Sequence, residues 1–202
     1  MKRVLLCFLA CLTLTGCEAL PFARELESTM LVQVLGVDWT KDGVVLTAAS
    51  DPGAGGGTAV LSAAGRDLQG AKEALKGAGE EYVSLTHAAQ IVLGADSDVQ
   101  AVLEAALNEP ALGQGATVWL AARGTAKELL ESVEGGAKRL SSIELNSGVK
   151  PVTVLRSLMQ LEEKGSVLLP VLAVQEGTLV WKGSNAVKGG SSWGVMSCLS
   201  GS

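Results

Sequence analysis

Met30-Leu-Val-Gln-Val-Leu-Gly-Val-Asp38 is the stretch of sequence that decides the fold. Its side chains are mostly apolar at alternating and at adjacent positions, which is typical of a strand buried on both faces. Lys41-Asp42-Gly43 predicts a tight turn, because glycine readily takes the positive φ that such turns require. Val44 to Ser50 is the returning strand. The folded part of the chain therefore begins with a hairpin whose first strand is buried.

Beyond this hairpin, the hydrophobic pattern alternates between the periods of strands and helices. Further strands are predicted at 58–63, 82–94 (strongest at 88–93), 117–122, 167–174 and 178–181, with Pro170 at an edge or a bulge. Helices are predicted after the cap residues Asp67, Ser97 (with Gln100), Thr125 (with Glu128) and Thr153, and a further helix at about 137–145. The predicted fold class is α/β (α+β), a mixed β-sheet with flanking helices.

The first seventeen residues have the layout of a secretory signal. Lys2 and Arg3 precede the apolar run Val4–Leu14, which is too short for a spanning helix of about 20 residues. Leu14-Thr15-Gly16-Cys17 resembles the bacterial lipobox, and this implies that Cys17 is the lipid attachment site, carrying a covalent diacylglycerol. The alternative is an ordinary signal peptide with an incidental cysteine.

The charge of the chain predicts what it avoids. Loss of Lys2 and Arg3 with the signal leaves 14 basic against 21 acidic residues, a formal net charge of −7. A body this acidic is repelled by nucleic acid and by anionic lipid, so we expect no nucleic-acid partner and membrane attachment through Cys17 alone. Cys7 and Cys11 would leave with the signal, and a lone Cys198 supports neither a disulfide framework nor a thiolate metal site.

No arrangement of reactive side chains in the sequence indicates an enzyme. His87, the single histidine, is interpreted as a structural hydrogen-bonding group, and the glycine-rich segment 53–57 as a loop, because a strand rather than a helix follows it. We predict no catalytic, no cofactor-binding and no metal-binding residues. The other candidates considered lack a nucleophile elbow or lie on the surface: Ser62, Ser84, Glu80-Glu81 and Glu162-Glu163.

Taken in order, these motifs resemble the C-subunit lipoproteins of spore germinant receptors over about residues 14 to 182. The shared features are the lipobox, Arg24-Glu25-Leu26, a strand closing in Leu35-Gly36-Val37-Asp38, His87 ahead of Ile91–Gly94, a helix reaching Pro110, Gly124 with Lys127-Glu128, and Thr153 with its helix before Val167–Pro170. The chain departs from the family at Glu18-Ala19, where a Trp-Asp pair is usual, and at Thr29 and Gln33, which interrupt the strand.

The resemblance implies four segments: a lipoprotein signal peptide (1–16), a lipidated tether (17–23), an N-terminal C-subunit-like domain (24–147) and part of a second domain (148–184). The end of the chain is rich in glycine and serine without a period, which predicts a disordered tail (185–202). Because the family's chain continues into further domains, the resemblance also implies a C-terminal truncation. It implies a non-enzymatic subunit on the extracytoplasmic face of the spore inner membrane, with integral membrane subunits as partners. The alternative function is a lipid-anchored extracytoplasmic solute-binding protein, which would need a deep cleft between two lobes.

Overall fold

The computed structural model describes residues 29–51, 59–79, 82–110 and 112–189. The strands within these ranges are β1 Thr29–Leu31, β2 Val34–Thr40, β3 Gly43–Ser50, β4 Ala59–Gly65, β5 Tyr82–Ser84, β6 Gln90–Leu93, β7 Thr117–Ala121, β8 Ser166–Gln175 and β9 Thr178–Lys188. The helices are α1 Leu68–Lys76, α2 Val99–Leu107, α3 Ala126–Glu131, α4 Gly136–Asn146 and α5 Val154–Lys164.

Seven of the strands form one mixed sheet in the order β4-β3-β2-β6-β7-β8-β9. β2, β6, β7 and β8 run parallel to one another, whereas β3, β4 and β9 are antiparallel to their neighbours. β1 and β5 form a separate parallel pair. The predicted mixed sheet with flanking helices is confirmed.

Helices cover both faces of the main sheet and enclose two hydrophobic cores. The larger core lies under α1, α2 and α5, and the smaller core lies under α3 and α4. Successive side chains of the interior strand β2 enter opposite cores: Leu35 and Val37 enter the larger core, and Val34 enters the smaller one. Leu35 is fully buried, and truncating such a side chain to alanine typically costs about 2–5 kcal/mol.

Local capping signals account for most helix starts. The side chains of Asp67 and Thr153 accept hydrogen bonds from the backbone N–H groups three residues on, as the sequence predicted. The capping box of Thr125 and Glu128 is also present. The Ser97–Gln100 capping box was wrong, because Asp98 caps α2 by accepting from the Ala101 N–H at 3.1 Å.

Two predicted strands are divided in the structure. The first becomes β1 and β2, separated at Gln33, an exposed amide where the chain passes from the small sheet to the main one. The second becomes β5 and β6, and the segment 85–89 between them includes an exposed turn at His87. His87 therefore lies on the surface, in the turn that precedes the buried strand β6.

The C-terminal elements extend the main sheet. α5 packs against the larger core, and β8 pairs in parallel with β7 at Leu120 and Ala121, so no break in the sheet coincides with the predicted boundary between 147 and 148. Because β9 remains paired with β8 as far as Lys188, residues 185–188 are strand and not part of a disordered tail. Pro170 was predicted to lie at an edge or at a bulge, and the register shift between Pro170 and Leu172 shows that it lies at a bulge of an interior strand.

Ser157 gives a test of the packing under α5. Its side chain is fully buried, and its hydroxyl has no hydrogen-bond partner among the described residues. Because an unsatisfied buried hydroxyl is destabilising, we expect Ser157→Ala to raise the free energy of unfolding by about 1 kcal/mol in urea denaturation.

Ser97→Ala is the matched control, because the buried hydroxyl of Ser97 has two hydrogen-bond partners, Val37 and Trp39. The free energy of unfolding of Ser97→Ala should be lower than that of wild type by about 1–3 kcal/mol. An equal loss in Ser157→Ala would contradict the assignment of Ser157 as unsatisfied.

Candidate functional site

The carboxyl end of β2 carries a buried acidic side chain. Asp38 is only 6 % exposed. It lies on β2, which runs parallel to β6, and β6 in turn runs parallel to β7. In open α/β sheets the carboxyl ends of parallel strands are the usual place for a ligand. The carboxyl ends of β2, β6 and β7 are therefore the candidate position for a functional site.

The Asp38 carboxylate is bound to the first turn of α3. One oxygen accepts the Ala126 N–H at 2.7 Å and the other accepts the Lys127 N–H at 3.2 Å. The first N–H groups of a helix have no partner within the helix and carry partial positive charge, so a carboxylate is favoured there. The position that an external anion would take is occupied by the protein's own side chain.

The capping box satisfies the neighbouring donors. Thr125 Oγ1 accepts the Glu128 N–H at 3.0 Å, and the Glu128 carboxylate accepts the Thr125 N–H at 3.1 Å. With Asp38, every backbone N–H from Thr125 to Glu128 has a partner. No donor of this turn is left for a ligand.

Two glycines let α3 and the next loop approach the strand. A Cβ on Gly36 would lie 2.9 Å from Leu130 Cδ1 and 3.2 Å from Ala126 Cβ, so a side chain here would push α3 off the sheet. A Cβ on Gly94 would overlap the Asp38 carboxylate. The start of α3 thus packs against Gly36 and binds Asp38, and Gly94 leaves room for the Asp38 carboxylate.

The loop after β6 fills the remaining space at this edge. Ser97 Oγ donates to the Val37 carbonyl at 3.0 Å and accepts the Trp39 N–H at 3.1 Å. The Ala95 N–H donates to the Gly124 carbonyl at 2.9 Å, which joins this loop to the one after β7. These bonds tie the loop after β6 to the end of β2 and to the loop after β7.

Burial raises the pKa of the Asp38 carboxyl above its ordinary value. The two backbone N–H groups of α3 act against this rise, and the nearby negative charge of Glu128 adds to it. Desolvation is the largest of these effects, because the low-polarity surroundings disfavour the charged form. A raised pKa also occurs at catalytic acids, but here both oxygens of the carboxyl are already engaged.

A second polar cluster holds α4 against the amino ends of β6 and β7. The Glu144 carboxylate accepts from Gln90 Nε2 at 2.8 Å and from Thr117 Oγ1 at 3.1 Å. The Gln90 carbonyl oxygen in turn accepts the indole N–H of the fully buried Trp119. These groups use their hydrogen-bonding capacity on each other, as buried polar networks in a stable core must.

The start of α4 has its own acidic anchor. Asp51, 8 % exposed at the end of β3, accepts the Lys138 N–H at 2.7 Å. Both helices of the smaller core are therefore held at their first turns by carboxylates from the β2–β3 hairpin. Sequence reasoning did not assign these roles to Asp38 and Asp51. The available signal was an acidic residue at the end of each buried apolar run, but nothing local identifies its partner helix.

The residues weighed as reactive from the sequence are not brought together as a catalytic group. The Ser62 hydroxyl pairs with Thr47 at 3.0 Å and the Ser84 hydroxyl pairs with Thr86 at 2.9 Å. Glu162-Glu163 is exposed on α5. Cys17, the segment 53–57, Glu80-Glu81 and Cys198 lie outside the described residues.

Two open clefts lie on the described surface. One, of about 310 Å³, lies where the start of α4 meets the turn between β8 and β9, and the other, of about 460 Å³, runs along the outer side of α5. Across the described residues, no three side chains of the metal-ligating types come together. Within the same ranges, no helix is long and apolar enough to cross a bilayer.

Comparison of the sequence with protein-family models and with curated proteins found no match. Among solved structures, the chain is similar to the crystal structure of the GerBC protein, with 20 % sequence identity and a TM-score of 0.40. The similarity covers 88 % of this chain and 52 % of that one, so the chain spans about half the length of GerBC.

The raised pKa of Asp38 predicts that the stability of the folded chain depends on pH. Because its pKa is higher in the folded than in the unfolded state, the folded state binds more protons between the two pKa values. The contribution of Asp38 to the free energy of unfolding is therefore most favourable below its pKa in the unfolded state. That contribution is lost as the pH rises through its pKa in the folded state. We expect the stability of wild type relative to Asp38→Asn to decline from acid to neutral pH.

The measurement is urea denaturation of both proteins from pH 3.5 to 7. Asp98→Asn, which removes an exposed cap carboxylate bonded to one backbone N–H, is the control. At neutral pH Asp38→Asn should still cost about 1–3 kcal/mol, since asparagine offers one acceptor oxygen instead of two. Parallel pH profiles for wild type and Asp38→Asn would overturn this account.

Proposed function

We propose that the chain is a membrane-anchored lipoprotein subunit of a spore nutrient germinant receptor. The observation that carries this proposal is the order of motifs at the start of the chain: a lipobox cysteine, then Arg24-Glu25-Leu26, then a strand that ends in Gly36-Val37-Asp38. The contacts of Gly36 and Asp38 with α3 give two of these motif positions a physical role in the fold.

The proposed anchor is the diacylglycerol on Cys17, on the extracytoplasmic face of the membrane. A single acyl chain gives only marginal attachment, because each buried methylene contributes about 0.8 kcal/mol, whereas two chains on one glycerol give stable attachment. The acidic body adds no attraction for anionic lipid. The lipid would thus determine where the protein works.

We propose that the protein acts by assembly and not by catalysis. The observation behind this is that the usual ligand position of such a sheet is filled by Asp38, Ser97 and the capping box of α3. A body of this kind contributes surfaces to a complex. Tethering it at the bilayer raises its effective concentration beside integral membrane subunits, which favours assembly without a strong contact.

Replacement of Cys17 tests the anchor. We expect Cys17→Ala to move the protein from the membrane fraction to the soluble fraction, because the site for the lipid is lost. Cys198→Ala is the matched control and should stay with the membrane. Mass spectrometry of the mature N-terminus in the same samples identifies the lipid. Full membrane retention of Cys17→Ala, with no lipid on residue 17 of the wild type, would refute the anchor.

A ligand screen separates the proposed function from a solute-binding protein. A binding protein gains stability with its solute, by about 2.7 kcal/mol at a hundredfold excess over Kd. We expect the soluble Cys17→Ala body to show no shift in Tm with individual amino acids, sugars or nucleosides. A concentration-dependent rise in Tm with one of these compounds would favour the solute-binding alternative.

A further inference from the structure

The two edges of the main sheet differ in how they meet solvent. β4 forms one edge and β9 forms the other, and each has a strand neighbour on one side only among the described residues. An edge strand presents backbone N–H and C=O groups that can pair with another chain, and proteins usually block such edges with lysines, bulges or prolines. The question is therefore which edge is blocked.

The β9 edge is blocked in two ways. It carries two exposed lysines, Lys182 and Lys188, which a neighbouring strand would have to accommodate. Gly183 has a φ of +108°, and the register of β9 against β8 shifts beside it. The line of outward backbone groups is therefore interrupted, and strand addition is disfavoured at this edge.

The β4 edge has none of these features. Its sequence, Ala-Val-Leu-Ser-Ala-Ala-Gly from Ala59 to Gly65, contains no charge and no proline. It pairs with β3 at seven successive positions without a register shift. Leu61 and Ala63 pack on the larger core and Val60 on the smaller one, so these side chains make their contacts on the two faces of the strand.

We propose that β4 pairs antiparallel with β4 of a second copy of this chain, about a two-fold axis at Ser62. The strand is self-complementary in this register: Leu61 faces Ala63, Val60 faces Ala64 and Ala59 faces Gly65 of the other copy. No like charges meet, and the twist of a regular pair continues from one seven-stranded sheet into the next. The occupant of the β4 edge is the same edge of a neighbouring molecule.

This contact is short, so it is weak between freely diffusing molecules. It rests on the proposed function for its strength, because lipid anchoring confines two copies to one surface and raises their effective concentration. The dimer should therefore form readily in membranes and, for the soluble body, only at high concentration.

Edge substitutions test the proposal. Ala64 and Ala186 are both exposed alanines, on β4 and β9 respectively, so each tolerates lysine without disturbing a core. The soluble Cys17→Ala body is measured by analytical ultracentrifugation over a wide range of concentrations. We expect Ala64→Lys to raise the dimer dissociation constant at least tenfold and Ala186→Lys to leave it unchanged. A monomer at every concentration, or equal effects of both lysines, would overturn the proposal.

Cross-linking tests the register in the membrane. In a Cys198→Ala background, the lipoprotein with Ser62→Cys should form a disulfide-linked dimer on oxidation, whereas Ser184→Cys on β9 should not. Membrane fractionation of the same samples shows whether the anchor is present. An anchored protein without the Ser62→Cys cross-link refutes the dimer and leaves the proposed function standing, whereas an unanchored protein that dimerises at high concentration refutes the anchor alone.

Discussion

The structure depends on the contact between the Asp38 carboxylate and the first turn of α3. A buried carboxylate is expensive unless its oxygens are hydrogen-bonded, and the free N–H groups of a helix start provide both the bonds and a favourable partial charge. The helix therefore gains acceptors for two N–H groups, and the carboxylate gains donors that offset part of the cost of its burial. The contact joins positions that are 88 residues apart, so it holds the smaller core against β2, an interior strand of the sheet.

The same constraint places the protein's own polar groups at the carboxyl ends of β2 and β6. Gly36 and Gly94 give α3 and Asp38 the room they need, and Ser97 closes the loop beside them. The polar groups at these strand ends form hydrogen bonds that hold a helix and a loop to the sheet. At the other end of the sheet, Asp51 and Glu144 do the same for α4.

Several elements followed directly from the sequence because their causes are local. The hairpin of β2 and β3 needs only two apolar runs and a turn with Gly43, which has a φ of +137°. The capping box of Thr125 spans one helical turn, and the bulge at Pro170 follows from the missing N–H of proline. Where two local signals competed, the sequence was not decisive. Ser97 has the hydroxyl of a good cap, but in the fold it bonds to β2 and leaves the cap of α2 to Asp98.

The sequence by itself determined the hairpin, the alternation of strands and helices, the acidic character of the body and the lipobox-like start with Cys17. These properties depend on neighbouring residues, on composition or on the period of the hydrophobic pattern. The tertiary structure alone decided that Asp38 and Asp51 anchor α3 and α4, that residues 166–188 extend the main sheet and that His87 faces solvent. The reason is that these outcomes require pairing between distant segments, and the entropy cost of closing such loops is repaid only when the whole core assembles.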